Sequence, residues 1–317
     1  MSTPWDGIAR PPSGHAWKLR DARAASRVLF GRSAEGRPAF LLEMKADYPD
    51  LLMRLPEIRG LRLDHRKFDS PTVYGLIVEL RESQDETMFG ALCDDLVRAI
   101  EPLAEERQAV LTFLNRMAHW QRFLSQDRGS LLSPAEVRGL VGELVVLGHL
   151  LDRDPGRAFE TVTGWAGPLG APQDFQLPEF LVEAKTTGAG GARVNIASEF
   201  QLDPAGALLF LAVVPLVESD SSGAASLNMA VRKVQERLDE RTALLFLDRL
   251  GAAGYIELAQ YDSPSFLAAP PDFYTVTDEF PKLVSATLPA GISGVQYGLG
   301  VPEIDRFRIP ELPEVAA

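Results

Sequence analysis

One helix constrains this chain more than any other feature. Ser133-Pro134-Ala135-Glu136 combines a serine able to cap a helix, a proline at the first helical position and a glutamate three residues past the cap. Leu132 and Val137 are spaced for a hydrophobic staple across that cap. The spacing predicts a helix from here to about Leu151, with Val137, Leu140, Val141, Leu144, Val145, Leu147, Leu150 and Leu151 covering most of its circumference. A helix apolar on most sides has to be buried on most sides, so other layers must be built around it. Glu143 interrupts it between Gly142 and Leu144, where an inert core would not put a carboxylate.

Short strand-like runs follow at Asp174 to Leu177, Phe180 to Thr186 and Leu208 to Val214. Two helices are expected next, Ser226 to Arg241 and Thr242 to Leu250, the second closed by Gly251. Strand-like pieces at Tyr255 to Tyr261, Phe273 to Thr277 and Val295 to Leu299 complete the chain. This order suggests an α/β layer with a mixed sheet. Upstream, residues 28 to 45 read as two strands around a Gly-Pro turn and Thr72 to Leu80 as a third, so a β-rich module is expected over residues 1–85. Apolar residues at helical spacing from Glu86 to about Ser125, split by Pro102, give a helical connector over residues 86–130, and residues 131–317 form the α/β domain.

The chain has 317 residues, of which 46% are hydrophobic and 24% charged, the balance of a soluble globular protein. Its longest apolar run, Ala205 to Val217, spans 13 residues and reads as a buried strand, since a membrane helix needs about 20. Met1 to His15 holds no apolar stretch of the signal-peptide kind, and a cytoplasmic location is expected. The single cysteine, Cys93, excludes an intrachain disulfide and reads as a buried small hydrophobe. The net charge of −12 is uneven: residues 1–133 carry 19 basic and 19 acidic side chains, the remainder 13 and 25. Arg10, Lys18, Arg20, Arg23, Arg27, Arg32 and Arg37, with only Asp21 and Glu35 among them, form a candidate phosphate-facing strip or a solvated basic surface.

Polar residues in apolar surroundings mark the chemistry. In the run Phe180 to Thr187, Glu183 and Lys185 lie two apart and share one face of a strand. With Glu143 in the buried helix and Asp174 at a strand start, these are four polar residues where an inert core would not put them, and leaving two carboxylates and a lysine unpaired in a semi-buried sheet costs roughly several kcal/mol each. A hard divalent cation, Mg²⁺ or Mn²⁺, offsets that cost. A second Glu-x-Lys triplet, Glu43-Met44-Lys45, serves as an internal decoy: no acid-bearing helix precedes it, and it reads as a strand-edge ion pair. Gly188-Ala189-Gly190-Gly191 lacks the spacing of an ATP-binding loop, and the four histidines have no metal-ligand spacing. Trp17, Trp120 and Trp165 are read as packing residues.

Glu143 on a helix, then Gln173-Asp174, then Glu183-Ala184-Lys185, resembles the PD-(D/E)XK nuclease superfamily with its restriction-endonuclease-like core. More narrowly, GLVGELVVLGHLL, QDFQ, VEAKTT and SEFQL resemble a bacterial PD-(D/E)XK family found near restriction and phage-defence genes. Gln173 stands where the superfamily has proline. The resemblance implies a restriction-endonuclease-like mixed sheet flanked by helices over residues 131–317. It implies a Mg²⁺-dependent deoxyribonuclease in which Asp174, Glu183 and the Ala184 carbonyl bind the metal and Glu143 completes its shell. It further implies that Lys185 orients or deprotonates the attacking water and that Gln201, on a helix after the motif strand, positions water or phosphate. DNA is the implied partner, with a homodimer or companion subunits for double-strand cutting. A catalytically silent DNA-binding or assembly module is the alternative, and an RNA nuclease or junction resolvase fits the same motif.

Overall fold

The computed structural model describes residues 3–20, 27–53, 55–68, 73–81, 86–124, 131–188 and 190–313. Arg23 and Asp21 of the basic segment, Thr72, Ser125 and Ala189 lie outside the described residues. The chain divides into two compact units, Met1–Leu131 with Ile256–Ala259, and Leu132–Tyr255 with Gln260–Ala317.

The first unit contains β1 (His15–Leu19), β2 (Arg27–Ser33), β3 (Pro38–Met44), α1 (Pro49–Leu52), β4 (Leu61–Lys67), β5 (Tyr74–Leu80), α2 (Glu86–Ile100) and α3 (Glu106–Leu124). Its strands form an antiparallel sheet in the order β1-β2-β3-β5-β4. Alternation along the strands splits the apolar residues between two faces. Leu29, Leu41 and Ile77 cluster on one, with Trp17, Leu19 and Phe68 packed against them. Phe30 and Phe40 stand on the other, where Trp5 stacks on Phe89 of α2 and Phe40 on Phe113 of α3. Cys93 is fully buried in α2, and burial pushes its thiol well up, so it behaves as the hydrophobe expected.

Among the described residues of the basic segment, five arginines have partners within the first unit, and Lys18 is exposed. Arg10 donates to the Ala34 carbonyl, Arg32 to the carbonyls of Trp5 and Gly36, while Arg20 pairs with Glu101, Arg27 with Glu43 and Arg37 with Glu79. The decoy triplet resolves in the same way. Glu43 is bound by Arg27, its cross-strand neighbour, 2.6 Å away, and β3 is an interior strand rather than an edge.

The second unit contains α4 (Pro134–Arg153), α5 (Ala158–Gly164), β6 (Phe175–Gln176), β7 (Leu181–Thr187), β8 (Arg193–Ile196), β9 (Leu209–Glu218), β10 (Ala225–Ser226), α6 (Leu227–Gln235), α7 (Glu240–Ala252), β11 (Ser265–Ala268), β12 (Asp272–Thr275), β13 (Tyr297–Gly300), α8 (Val301–Ile304) and β14 (Arg308–Ile309). The main sheet runs β10-β11-β9-β12-β14, with β7 added parallel to β9 and β6 antiparallel to β7. β8 and β13 pair separately. Val194, Ile196, Leu209, Leu211, Val213, Tyr274, Phe280, Leu299 and Ile304 build the core on one side of the sheet.

Several boundaries differ from the sequence reading. The run from Ala205 enters a strand only at Leu209, because Ala205 and Gly206 turn with positive φ of 45° and 90°. The two helices expected after the strands are α6 and α7, separated by Glu236 to Asp239; Gly251 lies inside α7, and the glycine with positive φ past its end is Gly254, at 83°. Asp239 caps α7 by accepting the Thr242 N–H. Tyr255 to Tyr261 is an extended loop ending in a 3₁₀ turn, not a strand. β1, β4, β8 and α5 were not foreseen, being short or carrying many charges.

α4 begins as its sequence dictates. Ser133 Oγ accepts the Glu136 N–H at 3.3 Å and Glu136 Oε2 accepts the Ser133 N–H at 2.8 Å. The helix lies directly against β7: a Cβ at Gly142 would stand 2.3 Å from Thr186 Cγ2. Arg138 ties the two layers by donating to the carbonyls of Thr187 and Leu216. Gly142→Val is therefore expected to lower unfolding free energy by about 1–3 kcal/mol through overpacking. Thr186→Ser, which deletes the methyl in the way, should recover part of that loss in a double-mutant cycle followed by urea denaturation.

Candidate active site

β7 presents its side chains alternately. Thr186 faces α4, whereas Glu183 and Lys185, in register with Leu211 and Val213 of β9, point the other way. The Glu183 side chain is 0% exposed and that of Lys185 16%, and Lys185 Nζ lies 2.6 Å from Glu183 Oε1. Glu183 Oε2 has no hydrogen-bonding partner among the described residues. An enclosed carboxylate oxygen without a donor is costly, and it points to a group that this chain does not itself supply.

Asp174 arrives from the loop before β6. The antiparallel pairing Phe175↔Val182 brings that loop beside β7, and Asp174 Oδ2 accepts the Ala184 N–H at 2.8 Å. Its own carbonyl accepts the N–H groups of Ala166 and Gly167 at 2.9 and 3.0 Å. Glycine is required at 167, since a Cβ there would stand 2.7 Å from Asp174 Oδ1. Glu143 reaches the cluster from α4, and its Oε2 accepts the indole N–H of Trp165 at 2.8 Å. Trp165 is a packing residue, as expected, but it also holds a site acid, which its isolated position in the sequence did not signal.

Electrostatics bind the four groups into one unit. Burial, then the neighbouring Asp174 carboxylate, push Glu183 well above the ordinary glutamate range against the pull of Lys185. Burial likewise raises Asp174, opposed by Lys185 and the Ala184 N–H. For Lys185, burial works to lower the pKa, but Glu183, Asp174 and Glu143 together raise it, so the ammonium form is held.

Gln173 and Gln201 occupy neighbouring loops. The Gln173 side chain, buried, donates to the carbonyls of Phe200 at 2.8 Å and Asp203 at 3.3 Å, a tether that proline at this position could not make. Gln201 lies in a turn rather than on a helix, because β8 and a tight loop follow the motif strand. Its Oε1 accepts the Ala197 N–H at 2.7 Å, which makes that oxygen part of the turn's own bonding.

Among the described residues no group of three His, Cys, Asp or Glu is gathered closely enough to hold a metal ion as it stands. The donor chemistry nevertheless fits a hard cation: carboxylates from three stretches of chain act electrostatically on one another, one Glu183 oxygen has no partner among the described residues, and the Lys185 ammonium supplies positive charge at Glu183.

The raised acids have a thermodynamic consequence in the metal-free protein. A carboxyl whose folded pKa exceeds its unfolded value holds more protons folded than unfolded, so its contribution is full below about pH 4 and is lost as pH rises through the folded pKa. Urea midpoints measured in chelator from about pH 4.5 to 8 are expected to fall for the wild type relative to Glu183→Gln as pH rises. Parallel pH profiles for the two proteins would show that Glu183 carries no such shift.

No curated protein and no solved structure matches this chain. Residues 1–301 match the family described as "Putative PD-(D/E)XK family member, (DUF4420)". The mixed α/β architecture, with Glu143, Asp174 and the Glu183-Ala184-Lys185 strand converging, agrees with that description. With the match spanning nearly the whole length, the chain belongs to this PD-(D/E)XK family.

Proposed function

We propose that the chain is a divalent-cation-dependent deoxyribonuclease that hydrolyses phosphodiester bonds at the cluster of Glu143, Asp174, Glu183 and Lys185. The observation that carries this reading is the Glu183 carboxylate, wholly enclosed, facing an ammonium at 2.6 Å and keeping one oxygen without a partner. A core selected for stability alone would replace such a pair with apolar residues at little or no cost.

In this reading Asp174, Glu183, Glu143 and the Ala184 carbonyl hold Mg²⁺ or Mn²⁺. When bound, the ion neutralises charge on the phosphate oxygens and makes water a better nucleophile at neutral pH. Lys185 acts as a donor. Its ammonium, already shared with Glu183, is placed to turn one N–H toward the water or a non-bridging phosphate oxygen as negative charge builds there. That favours orientation and charge stabilisation over proton abstraction. Asp174 keeps its position through the Ala184 N–H, so its carboxylate moves with β7 and the spacing between the acid and the amine is fixed. Gln201 keeps its amide NH₂ donors and one lone pair of Oε1 for water or phosphate, since Oε1 already accepts the Ala197 N–H.

DNA is the proposed substrate, and restriction or phage defence the proposed setting. Cutting both strands would require a homodimer or a companion subunit. A second reading, a catalytically silent DNA-binding or assembly module, is favoured by one observation: Lys185 already supplies the positive charge that Glu183 needs.

Cleavage of plasmid DNA in Mg²⁺ or Mn²⁺ decides between them. The wild type should cut, and Lys185→Ala and Asp174→Ala should each lose about 100-fold or more, the scale of removing one transition-state donor. Activity that survives both substitutions would refute the site, and a wild type inactive with either ion on every substrate form would favour the silent module.

A further inference from the structure

We propose that Trp165 is a positioning residue for Glu143, and that Trp165, Ala166 and Gly167 form a brace setting Glu143 against Asp174. The inference rests on the nuclease reading above and adds to it a residue outside the motif.

Glu143 and Asp174 come from separate elements, and neither α4 nor β6 alone can fix the distance between them. Three consecutive residues touch both. The Trp165 indole N–H donates to Glu143 Oε2 at 2.8 Å, while the backbone N–H groups of Ala166 and Gly167 donate to the Asp174 carbonyl at 2.9 and 3.0 Å. Trp165 also forms a β-bridge with Phe175, the residue after Asp174. The segment is itself held. The Trp165 N–H closes α5 on the carbonyls of Thr161 and Val162, and the fully buried ring packs on Phe246 of α7 with centroids 5.8 Å apart. At Gly164 a Cβ would stand 2.9 Å from the Gln176 carbonyl oxygen, so this end of the brace also lies tight against β6.

The chemistry of indole suits this task. It has one donor and no acceptor, so it cannot be a metal ligand and can only act through the carboxylate. Its ring has two rotatable bonds, both locked by packing, so the N–H direction is set by the fold. A charge-assisted bond to one oxygen of Glu143 fixes the plane of the carboxylate and with it the direction of the other oxygen. Phenylalanine keeps an aromatic ring but lacks the N–H, so this constraint on the carboxylate plane is lost.

The test uses the full chain. Trp165→Phe removes the donor and keeps the ring, and Trp120→Phe is the matched control, removing an equally buried indole that bonds Asp95 in the first unit. Mn²⁺ affinity, read from the EPR signal of the free ion, should weaken about tenfold or more in Trp165→Phe, the usual effect of losing an outer-shell bond, with circular dichroism near wild type and a thermal midpoint lowered to a similar degree as in Trp120→Phe. Trp120→Phe should leave the affinity unchanged. Unaltered Mn²⁺ affinity in folded Trp165→Phe would overturn the proposal.

A second measurement needs neither metal nor a stable Trp165 variant. The chain has four tryptophans and so four indole N–H signals in a ¹⁵N correlation spectrum. The Trp165 signal, identified by its through-space contacts with the Phe246 ring, should shift in Glu143→Ala and exchange faster with solvent. If it does not move, the brace is refuted. If the wild type binds no Mn²⁺ at all, the cation reading fails, and the indole signal alone decides the brace.

Discussion

A carboxylate taken wholly out of water is the fact around which the second unit is arranged. Glu183 lies beside Leu211 on a sheet face whose neighbours are apolar, and among the described residues its charge is met by the Lys185 ammonium. Removing one partner from such a buried pair costs about 3–5 kcal/mol, because the remaining charge has no water to turn to. The pair must be kept whole, and its pKa directions show the tension: the acid is pushed up by burial while the base is held charged by three acids.

The surrounding packing can be understood as what delivers the other two acids to that point. α4 carries Glu143, but it reaches β7 only because Gly142 presents no side chain to Thr186. The loop carrying Asp174 lies under residues 164–167 only because Gly167 presents none to Asp174. Asp174 is then tied to the motif strand itself, through the Ala184 N–H, and Gln173 ties the same loop to the turn at Phe200 and Asp203. Two absent side chains and a few directed hydrogen bonds thus bring together residues separated by up to 42 positions, from Glu143 to Lys185.

The first unit uses its charges differently. Arg27 and Glu43 neutralise each other across neighbouring strands, and Arg37 and His15 both meet the buried Glu79. The same Glu-x-Lys spelling therefore has two physical meanings in one chain. On β3 the glutamate has an arginine beside it on a solvent-reached face; on β7, among the described residues, it has its own lysine and two other acids. Neighbours across the sheet, not spacing along the strand, decide which meaning holds.

Much of this was written in local order. The capping box, the helical period of α4, the i and i+2 spacing of Glu183 and Lys185, and the split of α2 from α3 at Pro102 depend on residues a few positions apart, whose interactions the sequence lists directly. Strand boundaries set by turns, such as the late start of β9 after Ala205 and Gly206, needed backbone angles that hydrophobicity does not report. Gln201 on a turn, the pairing of five arginines of the basic segment with local acids and carbonyls, and the bond from Trp165 to Glu143 were decided only by tertiary structure. An indole looks the same in a sequence whether its N–H meets a carbonyl, a water or a carboxylate. Which of these it meets depends on how elements far apart in the chain are packed, and that packing is an energy summed over the whole unit rather than a property of any short stretch.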